Sequence, residues 1–222
     1  MLDIMSSHDR DHRRELDTVS SAGRAGDPAT RRRIFEAALR LIARRGAENV
    51  TMANVARAAR VSRQALYLHF TDRADLLLAA VRYADERRGV AAAVEQVRDA
   101  PSGVAALREL AAMQARLNPG IWPLARAVDS VRHLDTAAER SWQDRLANRL
   151  AGCRALVARL HREGALNPDV EPAVATDLLW TLTSLRTWED LVLLRSWTAA
   201  EYEERLTDLL RRALVRSGDA VA

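Results

Sequence analysis

No stretch of this 222-residue chain alternates apolar and polar residues with a period of two; apolar residues recur every three or four positions between capping signals. That periodicity points to an all-α fold and against any sheet-based architecture. Asp27-Pro28 supplies an N-cap and a first-turn proline, Ile34, Ala38, Leu41 and Ile42 share one face, and Gly46 ends the helix. Thr51 caps a short helix, Met52 to Ala59, with Val55, Ala56 and Ala59 inward. A turn at Arg60-Val61 leads to Ser62, which caps a helix from Arg63 to about His69. Thr71-Asp72 opens a long helix expected to run to about Arg98. After Pro101-Ser102 a helix is expected to Leu117, then a break at Asn118-Pro119-Gly120 and a short helix carrying Trp122. Trp142, Leu146, Leu150, Cys153, Val157 and Leu160 line one helix face that stops at Gly164. Asn167-Pro168-Asp169 precedes a helix over about 170–195, apolar nearly all round, and a capping box at Thr198 and Glu201 opens the last helix.

Composition narrows the function classes. The single Cys153 excludes an intramolecular disulfide and a cysteine-rich zinc site, and it fits a reducing compartment. Its place on a core stripe reads as a small buried hydrophobe rather than a redox sensor. No apolar run is long enough for a membrane span, and the first residues lack the apolar region of a secretion signal, so a soluble, cytoplasmic protein without a membrane partner is expected. All 34 basic residues are arginine, which inflates the isoelectric point and matches a coding bias. Bias does not explain their placement. Residues 1–30 carry a net −2, residues 31–75 a net +6, and residues 76–222 none, so the whole positive excess falls in one segment. That is the electrostatic footprint of a nucleic-acid-binding domain. Residues 1–26 read as a polar arm, whose Arg24 is a candidate for the minor groove.

Two short helices joined by a tight turn and preceded by a longer one form a helix-turn-helix pattern. In the second, Leu66 and Phe70 fall on the inward edge, while Arg63, Gln64, Tyr67 and Leu68 fall outward. Arginine suits guanine O6/N7 and glutamine suits adenine N6/N7, so Arg63 and Gln64 are the candidate base readers. Thr51, Ser62, Tyr67, His69 and Arg73 suit phosphate oxygens, which position a protein without reading sequence. The competing reading makes Tyr67 and His69 ordinary packing residues; Arg31, Arg32 and Arg33 read as a solvated first turn, with a phosphate contact by one of them the alternative.

Thr30 to Val81 resembles the DNA-binding domain of TetR-family transcriptional regulators. The resemblance rests on the Arg, Ile and Ala-Ala opening, Gly46, Thr51, Val55-Ala56, Val61-Ser62, Leu66-Tyr67, His69-Phe70, Arg73, Leu76 and Leu77. The remaining residues match only in helical layout. One departure stands out: the family usually has glycine in the inter-helix turn, where this chain has Arg60, itself a possible phosphate contact. The resemblance implies three parts: a terminal arm over 1–26, a helix-turn-helix domain over 27–75, and a ligand-binding and dimerisation domain over 76–222. It also implies an effector pocket in the last of these, for which Trp122, His133, Trp142 and Trp180 are candidates; the bland alternative is that such tryptophans are core.

A penultimate helix apolar on more than one face needs a second partner, so the last two helices are expected to pair with their copies. Leu182, Leu185, Trp188, Leu206, Leu209, Leu210 and Ala213 are the candidate interface residues. The expected function is a homodimeric repressor that binds double-stranded DNA at a palindromic operator and is released by a small-molecule effector. The alternative is a dimeric ligand-binding protein that no longer binds DNA. No catalytic signature (HExxH, GxSxG, a phosphate loop, GxGxxG or paired cysteines) occurs in the sequence, so no enzyme, cofactor or metal site is expected.

Overall fold

In the structure, a computed structural model that describes residues 27–46 and 50–217, helices open where side-chain caps supply the first acceptors. The expected arm over 1–26, with Arg24, lies outside the described residues. Asp27 accepts from the backbone N–H groups of Ala29 and Thr30 and opens α1, Pro28–Arg45. The helix ends at Gly46, whose φ of 78° is open to glycine at little cost. Thr51 Oγ1 accepts from Asn54 N at 3.1 Å and opens α2, Met52–Ala59. Ser62 Oγ accepts from Ala65 N at 3.0 Å and opens α3, Arg63–His69. Helix α4 spans Arg73–Arg88, and the chain divides between Ala80 and Val81 into two compact units.

The first unit closes on Ile34, Ala37, Ala38 and Ile42 of α1, Val55 and Ala56 of α2, Leu66 and Phe70, and Leu76 and Leu77 of α4, all buried. Phe35 and Phe70 meet at 5.6 Å with tilted rings, and the Arg31 guanidinium lies 5.3 Å from the Phe70 ring. Arg31 is therefore exposed yet covers an aromatic pair, rather than being merely solvated.

The second unit is a helical bundle, and three of its boundaries differ from expectation. The long fourth helix stops at Arg88, because Gly89 turns left-handed with φ 65°; α5 then runs Val90–Asp99. The expected break at Pro119 does not occur. Helix α6 runs unbroken for 30 residues, Gly103–Arg132, with Pro119 and Pro123 inside it. Each interior proline costs about 3 kcal/mol locally. The buried face continues on both sides of them, from Ala106, Leu107, Ala111 and Ala115 to Leu124, Ala127, Val128 and Val131, and that burial offsets the cost. Helix α7 spans Thr136–Arg162.

The penultimate helix is not continuous. It is split into α8, Pro172–Leu182, a break at Thr183-Ser184, a short α9, Leu185–Trp188, and a π-helical turn, Glu189–Leu194. The break turns successive residues toward different neighbours, which is why a sequence read as one helix looked apolar all round. Helix α10, Ala199–Leu214, begins at the expected capping box between Thr198 and Glu201. It packs against α6 and α8, and α7 packs between α6 and α8. Trp188, Leu206 and Leu210, expected to face a partner, are instead buried in the chain's own core with Leu107, Leu160, Leu179 and Tyr202. Leu182, Leu185 and Ala213 are partly buried against that core, and Leu209 is exposed. No helix among the described residues is long and apolar enough to cross a membrane.

Candidate nucleic-acid interface and buried polar cluster

A seven-residue helix is too short to be stable alone, so α3 depends on its cap and on two anchors. Leu66 and Phe70 supply them, at 0% and 1% exposure. Held on that edge, α3 turns Arg63, Gln64, Tyr67 and Leu68 to solvent, with Tyr67 54% and Leu68 73% exposed. Apolar surface of that size is left exposed on a capped helix, and the side chains beside it are of types able to hydrogen-bond base edges. Thr51 and Ser62 are exposed at the starts of α2 and α3, where free N–H groups favour phosphate. Arg73 and His69 are half-buried beside α3, and the His69 Nδ1 atom is buried without a hydrogen-bond partner. The structure thus brings the predicted DNA-contacting residues into one unit around α3.

Arg60 resolves the departure noted in the sequence. It takes φ 55° and ψ 48°, the left-handed conformation that glycine adopts freely, and its N–H caps α2 at Ala56 and Arg57. The turn therefore keeps its shape, and arginine bears the strain while its side chain stays exposed. Sequence reasoning passed over an open groove of about 290 Å³ between α1 and α2, rimmed by Arg40, Arg44 and Arg57. The basic character of the unit extends along that side too.

The four pocket candidates in the second unit sit in different surroundings. His133 is exposed at the end of α6. Trp142 is covered by the Arg132 guanidinium at 5.2 Å, and Arg132 is ion-paired with Asp129 and Glu139. Trp122 and Trp180 both pack on the core. The Trp122 indole Nε1 is buried with no acceptor.

Around Trp180 lies a polar cluster that sequence reasoning missed. Tyr202 Oη donates to Gln114 Oε1 at 2.9 Å, and Gln114 Nε2 donates to the Thr183 carbonyl at 2.7 Å. Arg149 stacks on the Trp180 ring at 3.8 Å, donates from Nη2 to the Trp180 carbonyl, and lies 3.4 Å from Thr183 Oγ1. The helix break at Thr183 releases these carbonyls. Burial pushes the Tyr202 phenol and the Cys153 thiol above their ordinary values and the Arg149 guanidinium below its own. One signal was available. Gln114, Asn118 and Trp122 follow at intervals of four on the apolar face of α6, and Arg149 interrupts the stripe from Trp142 to Cys153 on α7. Among the described residues no group of three or more metal-ligating side chains occurs.

The profile of the family described as "Bacterial regulatory proteins, tetR family" matches residues 34–80, from the buried face of α1 into α4. No curated protein matches the chain. Solved structures match nearly throughout. NalD, the secondary repressor of the MexAB-OprM multidrug efflux pump in Pseudomonas aeruginosa, is 26% identical over 85% of this chain and 97% of its own, with a TM-score of 0.63. A protein of Saccharomonospora viridis described as a transcriptional regulator, in complex with choline, is 22% identical over 86% of this chain and 100% of its own, with a TM-score of 0.70. FadR from Bacillus subtilis, in complex with stearoyl-CoA, is 17% identical over 82% and 97%, with a TM-score of 0.62. At such identities the last two establish the fold alone. Residues 34–80 thus carry the domain of the tetR family of bacterial regulatory proteins, and the all-α fold around it is the one these solved structures share.

Proposed function

We propose that this chain is a homodimeric repressor that binds a palindromic DNA operator and lets go when a small molecule occupies its second unit. The observation that carries the reading is α3: a capped, doubly anchored helix that holds Arg63, Gln64 and Tyr67 outward in the one segment with a net positive charge. One such helix reads only a few base pairs. A two-fold dimer sets two of them about 34–36 Å apart, one turn of B-DNA, and doubles the sequence read.

Exposed apolar residues support a second copy as partner. Val174 and Leu178 are exposed and Leu182 half-buried at intervals of four along α8, and Leu209 is exposed on α10. These replace Trp188, Leu206 and Leu210 as the contact residues, alongside Leu185 and Ala213. The bound choline and stearoyl-CoA in two proteins of this fold support a small-molecule effector here. Effector and operator must weaken one another equally, since each favours a different state of the dimer.

A titration of the purified protein on DNA from upstream of its own gene, at two salt concentrations and with random DNA as competitor, tests the reading. Tight binding that resists the competitor and falls steeply with salt is expected. Failure to bind even random DNA at low salt would leave a ligand-binding dimer without a DNA function.

A further inference from the structure

The cluster around Arg149 has an imbalance of charge and of hydrogen-bonding groups. Arg149 is half-buried against the Trp180 ring, and among the described residues no carboxylate lies within ion-pairing distance of it. Both of its hydrogen bonds leave from Nη2, toward the Trp180 carbonyl and Thr183 Oγ1. Of the five N–H donors a guanidinium carries, those on Nε and Nη1 take no partner among the described residues. The nearby polar groups do not offer an anion. Tyr202 and Cys153 are held neutral by burial, and the Gln114 amide is engaged through both its oxygen and its nitrogen. A second donor, Trp122 Nε1, is buried without an acceptor, two turns beyond Gln114 on the same face of α6, about 12 Å along the axis. The spare donors on Nε and Nη1 are not among the buried unpartnered atoms, so they open to solvent, where an anion can reach them without displacing a partner. Trp180, Trp122, Leu182 and Leu185 lie half-buried against the same apolar core that holds Tyr202.

We propose that the effector of this protein is an organic acid, with its carboxylate bound by Arg149 and its apolar body laid against Trp180 and the neighbouring leucines. The inference rests on the effector role proposed above and adds the chemical class. A planar guanidinium takes a carboxylate through two parallel hydrogen bonds, which an amide or an ammonium group cannot reproduce. An ammonium ligand brings like charge toward Arg149, and a neutral one leaves it uncompensated. The Trp180 face beneath the guanidinium fixes its plane, so the geometry is prepared before the ligand arrives.

The test uses the full-length protein and matched probes: benzoate, 4-hydroxybenzoate and octanoate, each beside its primary amide, with octylamine as the cationic control. Melting temperature and tryptophan fluorescence report binding. Acids are expected to raise the melting temperature and change the fluorescence in the millimolar range or below, with their amides about ten- to a hundredfold weaker. Arg149→Met is expected to erase the difference between acid and amide, and Arg149→Lys to keep part of it. The comparison of acid with amide on the unaltered chain needs no variant, so it holds even if Arg149→Met folds poorly. Amides or octylamine binding as well as the acids, with Arg149→Met unchanged, would overturn the carboxylate assignment while leaving an effector site in place. No response to any acid would also overturn it, whereas loss of DNA binding in the operator titration would bear only on the repressor reading.

Discussion

Replacing Arg60 by glycine separates backbone from charge in the helix-turn-helix. Arg60 sits at φ 55° and ψ 48°, where an L-residue pays about 1–2 kcal/mol in contact between its Cβ and the backbone. Glycine escapes that contact but loses about 0.5–1 kcal/mol more conformational entropy on folding. The balance favours Arg60→Gly by about 0.5–1 kcal/mol, since the exposed arginine side chain buries little. For a chain of this length, 1 kcal/mol moves the melting temperature by about 2–4 °C, so a rise of roughly 1–4 °C is expected. Arg60→Ala is the control, because it removes the charge and keeps the strain. DNA affinity responds in the opposite direction. If Arg60 touches one phosphate, both variants lower the slope of log affinity against log salt by about 0.9. Thermal unfolding of the three proteins, with anisotropy titrations at several salt concentrations, reads both effects. Arg60→Gly melting no higher than Arg60→Ala would refute the assignment of strain to this turn.

Three other outcomes follow from the same geometry. Arg63→Ala should cost about 1–3 kcal/mol on the operator and relax specificity at one base pair, whereas Arg73→Ala should weaken operator and random DNA alike; equal losses for both variants on both DNAs would remove the distinction between reading and anchoring. Tyr202→Phe leaves Gln114 Oε1 without its donor and should destabilise the protein by about 1–3 kcal/mol near neutral pH. Because burial raises the phenol's pKa in the folded state, its contribution is complete below about pH 10, where a free tyrosine titrates, and is lost as pH rises beyond it. The melting temperatures of wild type and Tyr202→Phe should therefore converge in alkali; parallel curves would contradict this. Cys153, 6% exposed and with its thiol pKa raised by burial, should resist a disulfide reagent until the protein is unfolded in guanidinium, and prompt reaction of the native protein would exclude a core role.

What was legible in the sequence was what short-range hydrogen bonds decide. Asp27, Thr51, Ser62 and Thr198 each accept from a backbone N–H two or three residues on, so the boundaries follow from adjacent letters. The inward and outward edges of α3 were legible for the same reason: once the helix was bounded, they followed from helical spacing. Boundaries decided by distant packing were not. Pro119 reads as a breaker, yet α6 continues because the face on either side of it is buried by other helices. The break at Thr183 carries no proline or glycine; it is held by Gln114 and Arg149, reaching from α6 and α7. The polar cluster was hidden because one glutamine or one arginine within an apolar stripe looks exposed until its neighbours are known.

The two edges of α3 divide labour in a way that bears on how such a protein changes over time. Leu66 and Phe70 hold the helix, while Arg63, Gln64, Tyr67 and Leu68 hold nothing in place. Substitution at exposed positions away from caps and core usually shifts stability by no more than about 0.5 kcal/mol. Mutation can therefore sample these four positions nearly freely, and a lineage carrying this fold can move to a new operator without passing through an unfolded intermediate. Ser62, Leu66 and Phe70 have no such latitude. Among duplicated descendants, divergence in DNA preference should concentrate at the outward four while the inward pair and the cap stay put.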